Sequence, residues 1–137
     1  MSGKASQIKI SEADLQAQII DLAHLYGWRI AHFRPALTTH GWRTPVSADG
    51  KGFPDLCLVK GGNLIFWEVK SGYSPLSPEQ DEWLKRLGRV DGVVATIVRV
   101  ADWEYICKTL SEGSDTRLPK SSWDGEQVRI DHEGMCK

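Results

Sequence analysis

Two carboxylates and an ammonium group interrupt an apolar stretch in the middle of this 137-residue chain. Residues 52–72 read GFPDLCLVKGGNLIFWEVKSG, a pattern that predicts two short strands joined by a Gly-Gly turn. A two-residue hairpin turn pairs Lys60 with Asn63, and counting outward in this register places Asp55 directly opposite Glu68. Opposed residues project from the same face of a sheet with Cβ atoms about 4.5–5.5 Å apart. The two carboxylates are therefore predicted to face each other.

Two like charges at this spacing repel each other, so the arrangement requires a group that removes the conflict. A hard divalent cation bound by Asp55 and Glu68 would do so, and Mg²⁺ is the common choice for phosphate chemistry. Alternation along the strand puts Lys70 on the same face, where it could stabilise charge on a scissile phosphate or position and help deprotonate a water molecule. The backbone carbonyl of Val69 is a further candidate ligand. The alternative interpretation is a structural salt bridge from Lys70 to one of the carboxylates.

Helix signals lie on either side of these two strands. Ser11 is the predicted N-cap of a first helix, and Glu12 stands at the head of its core-facing stripe. Favourable charge at a helix N-terminus is the simplest explanation for Glu12 when it is considered alone. Ser77 caps a second helix, in which Gln80 completes a capping box. Asp102 is the predicted cap of a third, short helix.

The predicted order is helix, three strands, helix, strand, helix, which is an α/β sandwich around a central mixed sheet. The strands are expected at residues 28–33, 55–60, 63–70 and 93–98, and the last is apolar throughout, as in a strand covered on both faces. Residues 34–52 show no clear periodicity, and a loop of this length in a compact domain is usually functional. Residues 11–110 are the predicted domain. Residues 111–137 form a C-terminal extension, partly irregular, with EQVRI as a candidate short strand.

Composition and charge limit the classes of function. The net charge is −1 and no apolar run is long enough to span a bilayer, so a membrane protein is not expected. Three distant cysteines and the lack of a secretory signal indicate free thiols in a reducing compartment, and a cytoplasmic location is expected, in a bacterium or a phage-infected cell. Residues 29–51 carry four Lys or Arg side chains against one Asp. This basic segment is compatible with phosphate binding, and its candidate nucleic-acid contacts are Arg34, Arg43 and Lys51.

The motifs together resemble a known group of nucleases. Pro54-Asp55 followed by Glu68-Val69-Lys70 resembles the PD-(D/E)xK motif of restriction-endonuclease-like nucleases. With Glu12 and Gln80 on the flanking helices, the set is similar to that of the VRR-NUC (virus-type replication-repair nuclease) group, whose small standalone members are common in phages. The resemblance covers about residues 11–110.

The resemblance implies Mg²⁺- or Mn²⁺-dependent phosphodiester cleavage on a restriction-endonuclease-like fold. Asp55 and Glu68 would be metal ligands and Lys70 catalytic, while Glu12 would belong to the metal site directly or through water. Gln80 would be a site residue, although its place in the capping box leaves its role ambiguous.

The leading hypothesis is a structure-selective DNA endonuclease acting on branched DNA, such as a Holliday-junction resolvase. A homodimer is expected, with the first helix or the segment around Trp103 and Tyr105 as candidate contact surfaces. The alternatives are a sequence-specific nicking or restriction-like nuclease and a non-catalytic nucleic-acid-binding module of the same fold.

Overall fold

The computed structural model describes residues 10–113. Three α-helices and six β-strands form this part of the chain, with one 3-10 turn before the last helix. In chain order they are α1 (Glu12–Leu25), β1 (Arg29–His32), β2 (Ala36–Thr38), β3 (Gly41–Arg43), β4 (Leu56–Lys60), β5 (Asn63–Val69), α2 (Pro78–Gly88), β6 (Val93–Val98), the 3-10 turn (Val100–Asp102) and α3 (Trp103–Glu112). No helix in this part of the chain is long and apolar enough to cross a membrane.

Four strands form a mixed sheet in the order β1-β4-β5-β6. β4 is antiparallel to both β1 and β5, whereas β5 and β6 are parallel. The carboxyl ends of β5 and β6 therefore lie at the same edge of the sheet, where the Lys70 N–H donates to the Val98 carbonyl at 3.1 Å. The predicted α/β fold with a mixed sheet is confirmed.

The two faces of the sheet are covered by different helices. Ile65, Trp67 and Val69 of β5 pack into a core with α1 and α3, and alternation turns Phe66 and Glu68 toward α2. Burying these apolar side chains contributes about 1.5–3 kcal/mol each to stability. The full core of the α1 and α3 face comprises Leu15, Ile19, Ala23, Trp28, Leu56, Leu58, Ile65, Trp67, Val69, Val94, Val98, Tyr105, Ile106 and Leu110.

Tyr105 belongs to that core and is fully buried. The prediction that this residue offers surface for a dimer contact is therefore wrong. Its ring packs beside Trp67, with centroids 6.0 Å apart, because the face of α3 that carries it is turned toward the sheet.

The helix starts follow the sequence closely. α1 and α2 each begin with a complete capping box, formed by Ser11 with Asp14 and by Ser77 with Gln80. Asp102 is the N-cap residue of α3, as predicted, but its carboxylate makes no capping hydrogen bond to that helix and instead accepts the Arg99 N–H at 2.9 Å. The chain makes a 3-10 turn between β6 and α3, and the Asp102 side chain reaches back to close that turn.

The segment predicted as an irregular loop at 34–52 contains a small hairpin. β2 and β3 pair with each other, in a sheet separate from the main one, so the prediction of no regular structure is wrong for residues 36–43. Strands of three residues are too short to leave a periodic signal in the sequence. The candidate strand EQVRI lies outside the described residues.

Candidate active site

The β4–β5 ladder has the register predicted from the Gly-Gly turn. Lys60 pairs with Asn63 and Leu56 with Trp67, so that the next step along the ladder brings Asp55 opposite Glu68. The Asp55 carboxylate is held there by a hydrogen bond, because its Oδ2 accepts the Val69 N–H at 3.0 Å.

Glu68 is a buried carboxylate, with 3% of its surface exposed. Its Oε2 accepts a hydrogen bond from Gln80 Nε2 at 3.1 Å, which fixes the orientation of the group. Its Oε1 is buried and meets no hydrogen-bond donor among the described residues. A buried carboxylate oxygen without a donor is costly, so this position is suited to a cation or a proton.

Asp55 and Glu68 shift each other's protonation. Burial, the charge of Asp55 and a hydrogen bond with that group raise the pKa of Glu68 to about 9. Burial also raises the pKa of Asp55, an effect that its hydrogen bonds with Val69 and Glu68 partly offset. The two carboxyl groups can hydrogen-bond to each other only when one carries a proton. The pair therefore holds a proton at neutral pH when no cation is bound.

Lys70 follows Glu68 by two residues and lies close enough for its charge to lower the pKa of that carboxyl. Nevertheless, no ion pair of 4.0 Å or less joins Lys70 to a carboxylate within residues 10–113. The alternative interpretation, a structural salt bridge, has no direct contact to support it in the described chain. An ammonium group in this position is available to a substrate phosphate.

Glu12 reaches the site from the start of α1. Its Oε2 accepts hydrogen bonds from the backbone N–H and the hydroxyl of Ser71, at 3.1 and 3.2 Å. Its charge contributes to the raised pKa of Asp55, so it faces the same site. Arg99 in turn holds the loop after β5, donating to the carbonyls of Gly72 and Ser74 at 2.8 Å each and of Ser71 at 3.4 Å.

The segment that leads into β4 and carries Asp55 is tied to α2 by close packing. Gly52 has a φ of +85°, and a Cβ at this position would lie 2.7 Å from backbone and side-chain atoms of Glu79. Only glycine fits both the backbone conformation and the contact. Phe53 adds an edge-to-face contact with Trp83 of α2, at a centroid distance of 5.0 Å. Asp55 and Gln80 are thereby held at fixed relative positions.

An open groove of about 590 Å³ leads to the carboxylates. Asp55, Glu12 and Arg34 line it together with His32 and Trp42. The structure thus brings Arg34 to the site, as the prediction of a phosphate contact requires. Burial lowers the pKa of His32, and the charge of Asp55 partly opposes that effect.

The two other candidate nucleic-acid contacts lie apart from the carboxylates. Arg43 is exposed on the small hairpin, and Lys51 lines a different groove on α2, where it is 4.0 Å from Glu79. Their assignment as nucleic-acid contacts stays a prediction.

The donor set fits a magnesium-type ion. No group of three or more His, Cys, Asp or Glu side chains that could hold a metal occurs in residues 10–113, so Glu12 does not complete a direct three-ligand set. Mg²⁺ typically takes only one or two carboxylates and keeps water and substrate phosphate as its other ligands. Asp55 and Glu68, with the unpartnered Glu68 Oε1, fit that requirement.

Three residues near the site were not predicted from the sequence as site residues: His32, Ser71 and Arg99. His32 lies within the basic segment at residues 29–51, at the carboxyl end of β1. Ser71 and Arg99 follow the carboxyl ends of β5 and β6, and a parallel pairing of those strands is the signal that would have brought them together.

The family model for the VRR-NUC domain matches residues 11–102. Since the match spans well over half of the 137 residues, the chain belongs to the VRR-NUC domain family, as the motifs predicted. It is thus a nuclease of the PD-(D/E)xK type with a restriction-endonuclease-like fold, and DNA is its partner. Nuclease domains of this type usually use divalent metals. No curated protein and no solved structure matched the chain.

Proposed function

We propose that this protein is a Mg²⁺-dependent endodeoxyribonuclease that cuts branched DNA. The observation that carries the proposal is the pair formed by the half-buried Asp55 and the buried Glu68. Within residues 10–113, Glu68 Oε1 meets no donor and Lys70 stands nearby without an ion partner. This combination costs stability in a resting protein and is useful when a cation and a phosphate enter.

Each residue has a role in phosphodiester hydrolysis. Asp55 and Glu68, with the Val69 carbonyl, would hold the cation, which when bound supplies Lewis-acid stabilisation of charge on the scissile phosphate. Lys70 donates to the phosphate oxygen on which charge develops, or orients the attacking water and takes part in its deprotonation.

Two further residues support that arrangement. Gln80 acts through Glu68, whose carboxylate it orients, and is therefore a positioning residue. Glu12 is expected to act on the site through water, since its Oε2 already accepts two hydrogen bonds from Ser71.

Cutting of a four-way junction requires two sites. The described part of each chain has one candidate site, and one site cuts one strand. A four-way junction has to be cut on two symmetry-related strands, and a two-fold dimer presents two identical sites in that relation. We therefore propose a homodimer with both sites on one side.

Cys57 and Cys107 are free thiols, which suits the proposed cytoplasmic location.

A cleavage assay tests the proposal. Full-length protein is incubated with linear duplex, single strand, flap and four-way junction DNA, in Mg²⁺, in Mn²⁺ and in excess chelator. RNA versions of the same substrates test the choice of nucleic acid. We expect Mg²⁺- or Mn²⁺-dependent cutting of the flap or the junction. Asp55→Asn should be inactive, whereas Glu104→Gln, which changes an exposed carboxylate on α3, should cut at the wild-type rate.

The remaining outcomes separate the alternatives. Cutting of linear duplex at one sequence, with a single nick in the junction and a monomer in light scattering, would favour a sequence-specific nicking enzyme. DNA binding without cutting in either metal would favour a non-catalytic module. Cutting that persists in excess chelator would contradict the metal dependence.

A further inference from the structure

The hairpin formed by β2 and β3 carries an exposed apolar pair. Leu37 and Trp42 are cross-strand partners and project from the same face of the hairpin. They are 69% and 70% exposed, among the most exposed large apolar side chains in the described chain. An isolated two-stranded hairpin has little stability of its own, so an uncovered Leu–Trp pair on it needs another explanation.

The hairpin is well formed in spite of its length. Its turn is closed by Thr38, whose hydroxyl donates to the Gly41 carbonyl at 2.7 Å and accepts the His40 N–H at 3.1 Å. This local network sets the turn and hence the pairing of Leu37 with Trp42. The position of the Trp42 ring relative to β2 is therefore defined by the hairpin itself.

Trp42 lies on the groove that leads to the candidate active site. The same groove is lined by Asp55 and Glu12 from the site and by Arg34, whose charge complements a phosphate backbone. Arg43, the next residue after Trp42, projects from the opposite face of the hairpin. Trp42 thus lines the same groove as two of the site's carboxylates and an arginine suited to hold DNA.

We propose that Trp42, supported by Leu37, stacks on the exposed face of a terminal or unpaired base at the branch point of the DNA that enters this groove. The inference rests on the proposed function, because it names the feature that would select branched DNA. In a continuous duplex both faces of each base are covered by neighbours, whereas a branch exposes the face of a terminal or unpaired base. An exposed indole binds such a face with little dependence on sequence.

Binding is measured in the Lys70→Ala background, so that the DNA stays uncut. Fluorescence anisotropy gives Kd for a flap, a four-way junction and a linear duplex of equal length. We expect Trp42→Ala to weaken binding of the branched DNA roughly 5- to 150-fold and to leave duplex binding unchanged. Trp42→Phe should restore most of the affinity. Leu25→Ala, which removes a similarly exposed apolar side chain at the far end of α1, should have no effect.

Photo-crosslinking provides a readout that a general loss of stability would not imitate. A 5-iodouracil placed at the branch point should crosslink to the peptide that contains Trp42, and the same base placed inside the duplex arms should not. Circular dichroism of Trp42→Ala should match that of the wild type, since the side chain lies outside the core.

Four outcomes would overturn the inference. Equal loss of affinity for branched and linear DNA, or no loss at all, would reject it while leaving branched-DNA cleavage by the wild type intact. Conversion of a dimer to a monomer by Trp42→Ala, with affinity per site unchanged, would show that this face contacts a second copy of the chain. Failure of the wild-type protein to bind or cut any DNA would reject the proposed function together with the inference.

Discussion

Glu68→Gln should make the metal-free protein more stable while ending its catalysis. The substitution keeps the shape of the side chain and removes its charge. The side-chain amide of the variant can still accept the hydrogen bond from Gln80 Nε2 and can donate one to Asp55. The Glu68 side chain of the wild type can make that second bond only when a proton is shared by the pair.

The size of the effect follows from the raised pKa of Glu68. Its folded value of about 9 lies above the ordinary value of 4.5, so between these values the folded state binds a proton that the unfolded state releases. The contribution of Glu68 to the free energy of unfolding is therefore greatest below about pH 4.5 and falls by about 1.4 kcal/mol for each pH unit as the pH rises toward 9. At pH 7 the accumulated loss is about 3 kcal/mol.

Urea unfolding of both proteins in the presence of chelator measures this loss. The variant should match the wild type near pH 4.5 and exceed it by about 3 kcal/mol at pH 7, which for a domain of this size corresponds to roughly 10 °C in Tm. The difference between the two proteins isolates the titration of the Asp55–Glu68 pair, because the groups outside that pair are common to both. Glu104→Gln provides the matched control, and its difference from the wild type should not grow with pH.

Adding the cation should reverse the order of stability. A ligand at about 1,000 times its Kd stabilises the folded state by about 4.1 kcal/mol, which exceeds the variant's lead of about 3 kcal/mol; the wild type should gain this from Mg²⁺ or Mn²⁺ while the variant should not. The reasoning is refuted if the variant is no more stable than the wild type at pH 7, or if both show the same pH dependence. Either result would mean that the pKa of Glu68 is not raised beside Asp55 in the folded protein.

Three further substitutions test the remaining parts of the site. Lys70→Ala should abolish cleavage but leave metal binding, measured by calorimetry, largely in place. The control Lys85→Ala, on the surface of α2, should change neither cleavage nor metal binding. Retention of most activity in Lys70→Ala would refute the assigned chemistry. Gly52→Ala should lower the free energy of unfolding in urea by roughly 1–3 kcal/mol and should also slow cleavage. Gly61→Ala is its control, because Gly61 has a positive φ but open space around it. This variant should cost only about 1–2 kcal/mol and leave the cleavage rate unchanged. Arg99→Lys should lower kcat more than it raises KM, because a single ammonium nitrogen would have to replace the two guanidinium nitrogens, Nη1 and Nη2, that contact the three loop carbonyls. Equal kcat values would refute the positioning role of Arg99.

The opposed carboxylates could be predicted from the sequence because their positions depend on local rules. A two-residue turn fixes the register of a hairpin, and period-two alternation then decides which side chains share a face. Asp55 and Glu68 are only five ladder steps from the turn, so no long-range information was needed. The capping boxes of α1 and α2 are local in the same sense.

Features that depend on long-range contacts could not be derived from local patterns. The hydrogen bonds from Ser71 to Glu12 span 59 residues, and those from Arg99 to the loop after β5 span 25 to 28. Nothing in the local pattern around Arg99 distinguishes it from a surface arginine. The exposed pair on the small hairpin was missed for a different reason, since its strands are too short to show a period.

Gln80 shows how the helix start and the candidate active site depend on one side chain. Its Oε1 accepts the Ser77 N–H at 2.9 Å and so completes the capping box, while its Nε2 donates to Glu68 at 3.1 Å. A glutamate would complete the capping box equally well but would place a third carboxylate against the pair, and an asparagine is one methylene shorter. Glutamine is the common side chain that has the reach, an acceptor for the cap and a donor for the buried carboxylate. The capping box and the candidate active site therefore both require a glutamine at this position. For this reason the sequence pattern alone left the role of Gln80 ambiguous.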